Sequence, residues 1–82
     1  MLRVKKVRLA EIYVPTARRG TLDAAKVGPL AEDILSNGLK TPIQVRADGA
    51  RFVLVEGLHR LEAARSLGET EIEAYLVQAR RH

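Results

Sequence analysis

An apolar run that stops at a glycine and continues at once as a helix constrains this chain more than any other feature. Residues 52–55 are apolar, Glu56 and Gly57 interrupt them, and helix-like spacing then continues to Gly68. This order predicts a strand, a tight turn and a helix. The first backbone N–H groups of a helix have no internal partner, and the helix dipole places partial positive charge there. The junction is therefore a candidate anion-binding position.

Two basic side chains, His59 and Arg60, fall in the first turn of this predicted helix. A cation at a helix N-terminus is locally unfavourable, so two of them there require an explanation. A bound phosphate is one explanation, because it accepts hydrogen bonds from basic side chains and from free N–H groups alike. Two plainer alternatives stay open. Arg60 can pair with Glu56 or Glu62, and His59 can be a surface or capping histidine.

The rest of the chain alternates between strand-like and helix-like patterns. Asp23 is a plausible helix cap, Gly38 a helix stop, and Asp48-Gly49 a hairpin turn. Pro29 favours a short turn before it and a main helix from about residue 28. The predicted order is a strand (3–8) with 12–14 as an extension or separate piece, a loop (15–21), a helix (28–37), a hairpin (42–46 and 51–55), a helix (58–67) and a last strand (72–77).

Hairpin geometry predicts which other residues lie near the junction. Because the two strands run antiparallel from a turn at Asp48-Gly49, residues 40–42 should lie beside residues 56–59. Lys40 and Thr41 would then join the basic pair, and cations, a hydroxyl and helix N–H groups together suit a di- or triphosphate. The alternatives are a solvated lysine beside a helix C-terminus and ordinary turn chemistry for a threonine before proline.

One acid and two arginines complete the candidate site. Glu56 is the one acid placed to act as a base or as a magnesium partner, and a hydrogen bond to the turn is the plainer role. Arg18 and Arg19 stand in a turn-rich segment, where side chains often converge on ligands. The sequence shows no cluster of metal-ligating residues, so no protein-held metal is predicted.

Composition limits the class of protein further. The 82 residues are enough for one small domain, and the absence of cysteine excludes disulfides, thiol catalysis and cysteine zinc sites. A formal charge of +4, to which Arg80 and Arg81 contribute, favours anionic partners. No apolar run approaches the roughly 20 residues of a membrane span, and no signal-peptide pattern opens the chain. A cytoplasmic location without a membrane partner is expected.

These residues resemble the ParB/sulfiredoxin superfamily, in particular ParB-like N-terminal domains. The resemblance implies an α+β fold in which a small mixed sheet of about four strands carries two main helices. It also implies a single domain over residues 1–82, either a fragment or a minimal version of a longer ParB-like protein. The matching segments are 27–38, 40–45 and 55–64, with 12–15 followed by Arg18 and Arg19 similar to the family's opening segment.

The tetrapeptide at residues 57–60 carries the most specific part of the resemblance. ParB proteins usually have Gly-Glu-Arg-Arg here, which binds the phosphates of CTP, whereas Gly-Leu-His-Arg is more similar to sulfiredoxin and to ADP-dependent free-serine kinases. Sulfiredoxin has its catalytic cysteine at the second position, where this chain has Leu58, so sulfinic-acid reduction is excluded. The resemblance implies a nucleotide site formed by Gly57, Leu58, His59, Arg60, Lys40, Thr41, Arg18 and Arg19.

The function implied is nucleotide binding, with CTP, ATP or ADP and magnesium, linked to bacterial plasmid or chromosome partition or to DNA-associated regulation. Nucleotide binding would change association with DNA, a second copy or another protein. No helix-turn-helix, with which ParB proteins read DNA, occurs in these residues.

Two alternatives stay open. One is a small enzyme, a ParB-like nuclease or a nucleotide-dependent kinase, with Glu56 as base and His59 as electrostatic stabiliser. Whether the nucleotide is turned over is not decided by the sequence. The other is nucleic-acid binding through charge alone, for which Tyr13, Phe52 and Tyr75 provide few stacking groups.

Overall fold

A computed structural model describes residues 3–78 of the chain. The terminal residues, including the basic Arg80 and Arg81, lie outside the described part. The elements are β1 (Arg3–Arg8), β2 (Ile12–Tyr13), α1 (Thr16–Arg19), α2 (Ala24–Asn37), β3 (Ile43–Asp48), β4 (Arg51–Glu56), α3 (Leu58–Ser66) and β5 (Glu71–Leu76), and one 3-10 turn (Leu9–Glu11) joins β1 to β2.

The strands form one mixed sheet in the order β1-β5-β3-β4-β2. β1 pairs antiparallel with β5 and β3 antiparallel with β4, whereas β3 pairs parallel with β5 and β2 parallel with β4. The predicted α+β class and mixed sheet are confirmed. The sheet has five strands rather than about four, because Ile12 and Tyr13 pair with Phe52 and Val53 as a short separate edge strand.

The core lies between the sheet and α3, and α2 packs against α3. Burial alternates along β3, where Ile43 and Val45 are inaccessible to solvent, whereas Val53 and Leu54 are both buried in β4. Leu61 on α3 is likewise inaccessible and packs in the same cluster. The other members of the cluster are Val7, Leu9, Ile12, Val14, Leu54, Leu58, Ala64, Ile72 and Ala74.

The first long helix differs from the sequence prediction. α2 is continuous from Ala24, although the sequence favoured a separate turn and a helix start near residue 28. The Asp23 carboxylate accepts a hydrogen bond from the Ala25 N–H at 3.1 Å, so the predicted cap starts the helix at once. Pro29 is accommodated inside the helix, where its missing N–H removes only the hydrogen bond to the Ala25 carbonyl.

Two shorter segments also differ from the prediction. The expected loop at 15–21 contains the one-turn helix α1, because the N–H groups of Arg18 and Arg19 both donate to the Pro15 carbonyl. The hairpin turn is Gly49-Ala50 rather than Asp48-Gly49, since Asp48 pairs directly with Arg51. Gly49 takes the positive φ of +60° that the first position of such a two-residue turn requires.

The junction between β4 and α3 depends on Gly57. Its φ of +105° is a conformation that residues with a side chain rarely adopt. A Cβ at this position would lie 2.7 Å from Ile43 Cγ2 and 2.9 Å from Ile43 Cβ. The bare glycine backbone therefore lets the chain reverse against β3 and begin α3 one residue after the strand ends.

Replacing Gly57 with alanine should destabilise the fold strongly. The substitution adds left-handed backbone strain and forces a methyl group into the buried Ile43 side chain, with a combined loss of about 2–5 kcal/mol in the free energy of unfolding. Urea denaturation followed by circular dichroism measures this loss.

Gly68→Ala is the matched control, because Gly68 has a φ of +77° but no atom lies within 4 Å of the position that its Cβ would take. It should lose only the strain contribution, about 1–2 kcal/mol. Equal losses for the two variants would mean that the contact with Ile43 does not restrict residue 57.

Candidate functional site

The start of α3 presents free backbone donors. Gly57 occupies the N-cap without a side-chain cap, and its carbonyl accepts from the Leu61 N–H at 2.9 Å. The N–H groups of Leu58, His59 and Arg60 make no hydrogen bond within residues 3–78. The predicted strand–turn–helix junction therefore exists, with three donors and the positive end of the helix dipole at one point.

His59 joins this helix start to a second one. Its Nε2 accepts a hydrogen bond of 3.0 Å from the backbone N–H of Asp23, the N-cap residue of α2. An accepting Nε2 carries no proton, so the neutral ring keeps its proton on Nδ1. The N-termini of α2 and α3 thus lie next to each other, and both helix dipoles point their positive ends toward the same region.

An open cleft of about 520 Å³ lies beside His59 along α2. Ala25, Pro29 and Leu30 give it an apolar wall, and Lys26 and Asp33 supply its charges. The sequence reasoning missed Lys26. The signal was the same as for His59, a basic residue type in the first turn of a helix. It was hidden because α2 was expected to begin two residues after Lys26 rather than two before.

The Lys40–Thr41 segment lies where hairpin pairing predicted. Gln44 pairs with Glu56, and the Gly57 backbone contacts Ile43, so the residues just before β3 lie beside the start of α3. The Lys40 ammonium, however, is 3.5 Å from Asp33 Oδ1. Lys40 is thus held at the Asp33 end of the cleft. Thr41 is exposed and has no side-chain hydrogen bond within the described residues.

The carboxylates near α3 are paired with other arginines. Glu56 accepts from Arg18 Nη1 at 3.2 Å, and Glu62 accepts from Arg65 Nε at 3.4 Å. The two carboxylates that could have neutralised Arg60 therefore have other partners. Arg60 is half-buried and forms no ion pair within residues 3–78. Arg60 is therefore a basic residue in the first turn of α3 with no carboxylate partner among the described residues.

Two predicted site residues direct their side chains elsewhere. Leu58 is 7% exposed and packs in the core, so only its backbone N–H belongs to the start of α3. Arg19 Nε donates to the Val14 carbonyl at 3.2 Å. Both residues line a different cleft of about 460 Å³, together with Leu9, Ala10, Ile12, Val14, Leu22, Glu62 and Arg65.

The described residues contain neither a metal cluster nor a membrane span. Within residues 3–78, no three histidine, aspartate or glutamate side chains come together in a way that could hold a metal ion. Over the same residues, no helix combines the length and the apolar character that crossing a membrane requires.

The comparisons with known structures support the fold. Sulfiredoxin from Arabidopsis thaliana is 28% identical, superposes with a TM-score of 0.83, and is matched over 94% of this chain and 86% of its own. The chromosome-partitioning protein ParB from Caulobacter crescentus, complexed with CTP-γ-S, is 20% identical with a TM-score of 0.82, over 95% of this chain and 46% of its own. A free serine kinase mutant in complex with ADP is 14% identical with a TM-score of 0.77, over 90% and 30% of the two chains.

This chain thus corresponds to less than half of the ParB and kinase chains that it resembles. A search of curated protein sequences found no match. The family model of the ParB N-terminal domain matches residues 1–82, the full sequence. The resemblance seen in the sequence is confirmed, and the chain belongs to the ParB N-terminal domain family.

Proposed function

We propose that this domain binds a nucleotide whose phosphates lie at the start of α3, next to the start of α2. The observation that carries the proposal is the 3.0 Å hydrogen bond from the Asp23 N–H to His59 Nε2, which joins the two helix N-termini. An anion at this point would interact favourably with two helix dipoles and with the free N–H groups of α3.

Side chains would complete the phosphate site. Arg60 has no carboxylate partner in residues 3–78, and Lys26 borders the cleft without an ion pair there, so both can neutralise phosphate charge. Arg18 would be shared between Glu56 and the ligand, because that ion pair is partly exposed and therefore weak. Magnesium would be held mainly by the phosphates, since the described residues offer no ligand cluster.

The base would lie in the cleft along α2. Pro29 and Leu30 provide an apolar wall for its ring, and the Asp33 carboxylate is an acceptor for an amino group such as that of cytosine or adenine. The ParB relative complexed with CTP-γ-S and the kinase relative complexed with ADP support ligands of this kind. CTP, ATP and ADP are therefore the nucleotides proposed.

The biological role proposed is a nucleotide-controlled binding module in plasmid or chromosome partition, or in regulation associated with DNA. The family assignment and the partition protein among the structural relatives support this role. Binding would favour association with DNA, a second copy or a partner protein.

Arg60→Ala should abolish nucleotide binding and leave the fold intact. The measurement is a thermal-shift screen with CTP, ATP, ADP and GTP, with and without magnesium. A ligand at about one hundred times its Kd stabilises the folded state by roughly 2.7 kcal/mol. For a domain this small, that stabilisation raises the Tm by on the order of 10 °C. The variant should show no such shift. It has lost the Arg60 guanidinium, which has no carboxylate partner in the described residues and would pair with the phosphates.

Arg51→Ala provides the matched control, an arginine at the hairpin turn that pairs with Asp48, away from the start of α3. It should keep the ligand-induced shift. Calorimetry showing that the wild-type protein ignores all four nucleotides at millimolar concentration would contradict the proposal, as would equal losses in the two variants.

His59→Phe should weaken nucleotide binding without removing Arg60. The variant keeps an aromatic ring but removes the acceptor of the Asp23 N–H, so the two helix starts are no longer joined by a hydrogen bond. Urea denaturation should show a loss of about 0.5–1.5 kcal/mol, the net value of one hydrogen bond. Calorimetry should show weaker binding, and unchanged affinity would mean that the joined helix starts do not form the phosphate site.

One observation favours a second candidate, a nucleotide-dependent enzyme. Glu56 directly precedes the proposed phosphate position, and a phosphate that attracts Arg18 would release its carboxylate as a base. If so, the purified protein should convert ATP, ADP or CTP, and Glu56→Gln should abolish turnover while nucleotide binding persists. Binding without turnover in the wild-type protein would exclude this candidate.

A further inference from the structure

Strand β1 forms one outer edge of the sheet. It follows β5 at the end of the strand order, and within residues 3–78 no strand pairs with its other side. Five of its six residues are exposed, and only Val7 is buried. An edge of this kind presents backbone donors and acceptors to which an extended segment can add.

The register shows which backbone groups are available. β1 and β5 pair antiparallel from Arg3↔Leu76 to Arg8↔Glu71, and the next position continues this register with a 3.0 Å hydrogen bond from the Leu9 N–H to the Thr70 carbonyl. Hydrogen-bonded pairs alternate along an antiparallel ladder. The backbone groups of the odd-numbered residues 3, 5 and 7 therefore face β5, and those of the even-numbered residues 4, 6 and 8 face outward.

All charged residues of β1 are basic, and they are arranged symmetrically along the strand. Its sequence reads Arg-Val-Lys-Lys-Val-Arg in both directions, with four cations and no acid. If a second copy paired antiparallel with it through these outward groups, in the register centred on Lys6, the two Lys6 side chains would lie directly opposite each other. Like charges directly opposite are destabilising, so this edge disfavours a second copy of itself. Acidic side chains in the same positions would be attracted instead.

We propose that β1 binds an extended acidic segment of another protein, which adds to the sheet as a further strand. Its backbone would pair with Val4, Lys6 and Arg8, and its carboxylates would face the strand's cations. A nucleic acid would not use the outward backbone groups. The outward backbone groups therefore favour a peptide over a nucleic acid.

This surface is separate from the proposed nucleotide site. β5 and β3 lie between β1 and β4, the strand that leads into α3. The proposal therefore does not depend on nucleotide binding, and it would stand if no nucleotide bound. Lysine on an edge strand also protects against aggregation. The experiment must therefore distinguish peptide binding from a purely protective role of these lysines.

Fluorescence anisotropy with the complete chain provides the first measurement. The probe is a labelled short peptide that alternates glutamate with valine. The comparators are the same peptide with lysine in place of glutamate and a single-stranded oligonucleotide of equal negative charge. The acidic peptide should bind and the lysine peptide should not. Amide hydrogen exchange should then slow at Val4, Lys6 and Arg8, because only their N–H groups gain partners.

Lys6→Pro should weaken peptide binding about tenfold or more, because it removes an outward donor and places a ring against the added strand. The ladder to β5 keeps its hydrogen bonds, so proline should be tolerated at this edge position. Lys6→Ala, which loses the charge but keeps the donor, should weaken binding only about two- to threefold. If Lys6→Pro does not fold, Lys6→Glu replaces it. This variant retains the backbone N–H but reverses the charge at position 6, so it tests the contribution of that charge to peptide binding.

Three results would each overturn the proposal. The first is an acidic peptide that binds no more tightly than the lysine peptide, which would leave the cations with a protective role. The second is an acidic peptide that slows exchange at none of the three outward amides. The third is a combination of two findings: the oligonucleotide binds as tightly as the acidic peptide, and the Lys6→Pro variant binds both ligands as tightly as the wild-type protein does. This combination would show that charges attract the ligand without strand addition.

Discussion

The close approach of Gly57 to Ile43 is the contact on which the rest of the structure depends. It lets the chain turn against β3, so α3 begins immediately after β4 and lays Leu58 and Leu61 onto the sheet. The same turn brings the segment before β3 next to the start of α3. His59, in the first turn of α3, then accepts a hydrogen bond from the N–H of Asp23 at the start of α2. A side chain at position 57 would strain this arrangement, because it would meet Ile43.

Ion pairing decides which cations face the proposed ligand. Arg18, Lys40 and Arg65 are each paired with a carboxylate, whereas Arg60 and Lys26 form no ion pair within residues 3–78. Partly exposed pairs contribute little to stability. Their effect here is to leave Arg60 and Lys26, in the first turns of α3 and α2, without a carboxylate partner in the described residues. The Asp23 carboxylate caps α2 at the same place.

The relation to sulfiredoxin and ParB is one of shared scaffold. Leu58 stands at the position where the sequence resemblance places a catalytic cysteine, and its side chain packs in the core. The backbone geometry of the junction does not depend on that side chain. A family can therefore keep the same helix start while the side chain beside it changes.

The sequence by itself determined the strand–turn–helix junction and the hairpin adjacency, because they depend on local periodicity, on glycine and on antiparallel pairing. The resemblance of its motifs to known proteins indicated the α+β class and the family. Tertiary structure alone decided that Asp23 meets His59, 36 positions away, and that Glu56 pairs with Arg18, 38 positions away. It also directed Leu58 and Arg19 away from the α2 cleft and added Lys26 to it. The reason is that periodicity fixes which face of an element is apolar, whereas the partner of a polar side chain depends on distances through space.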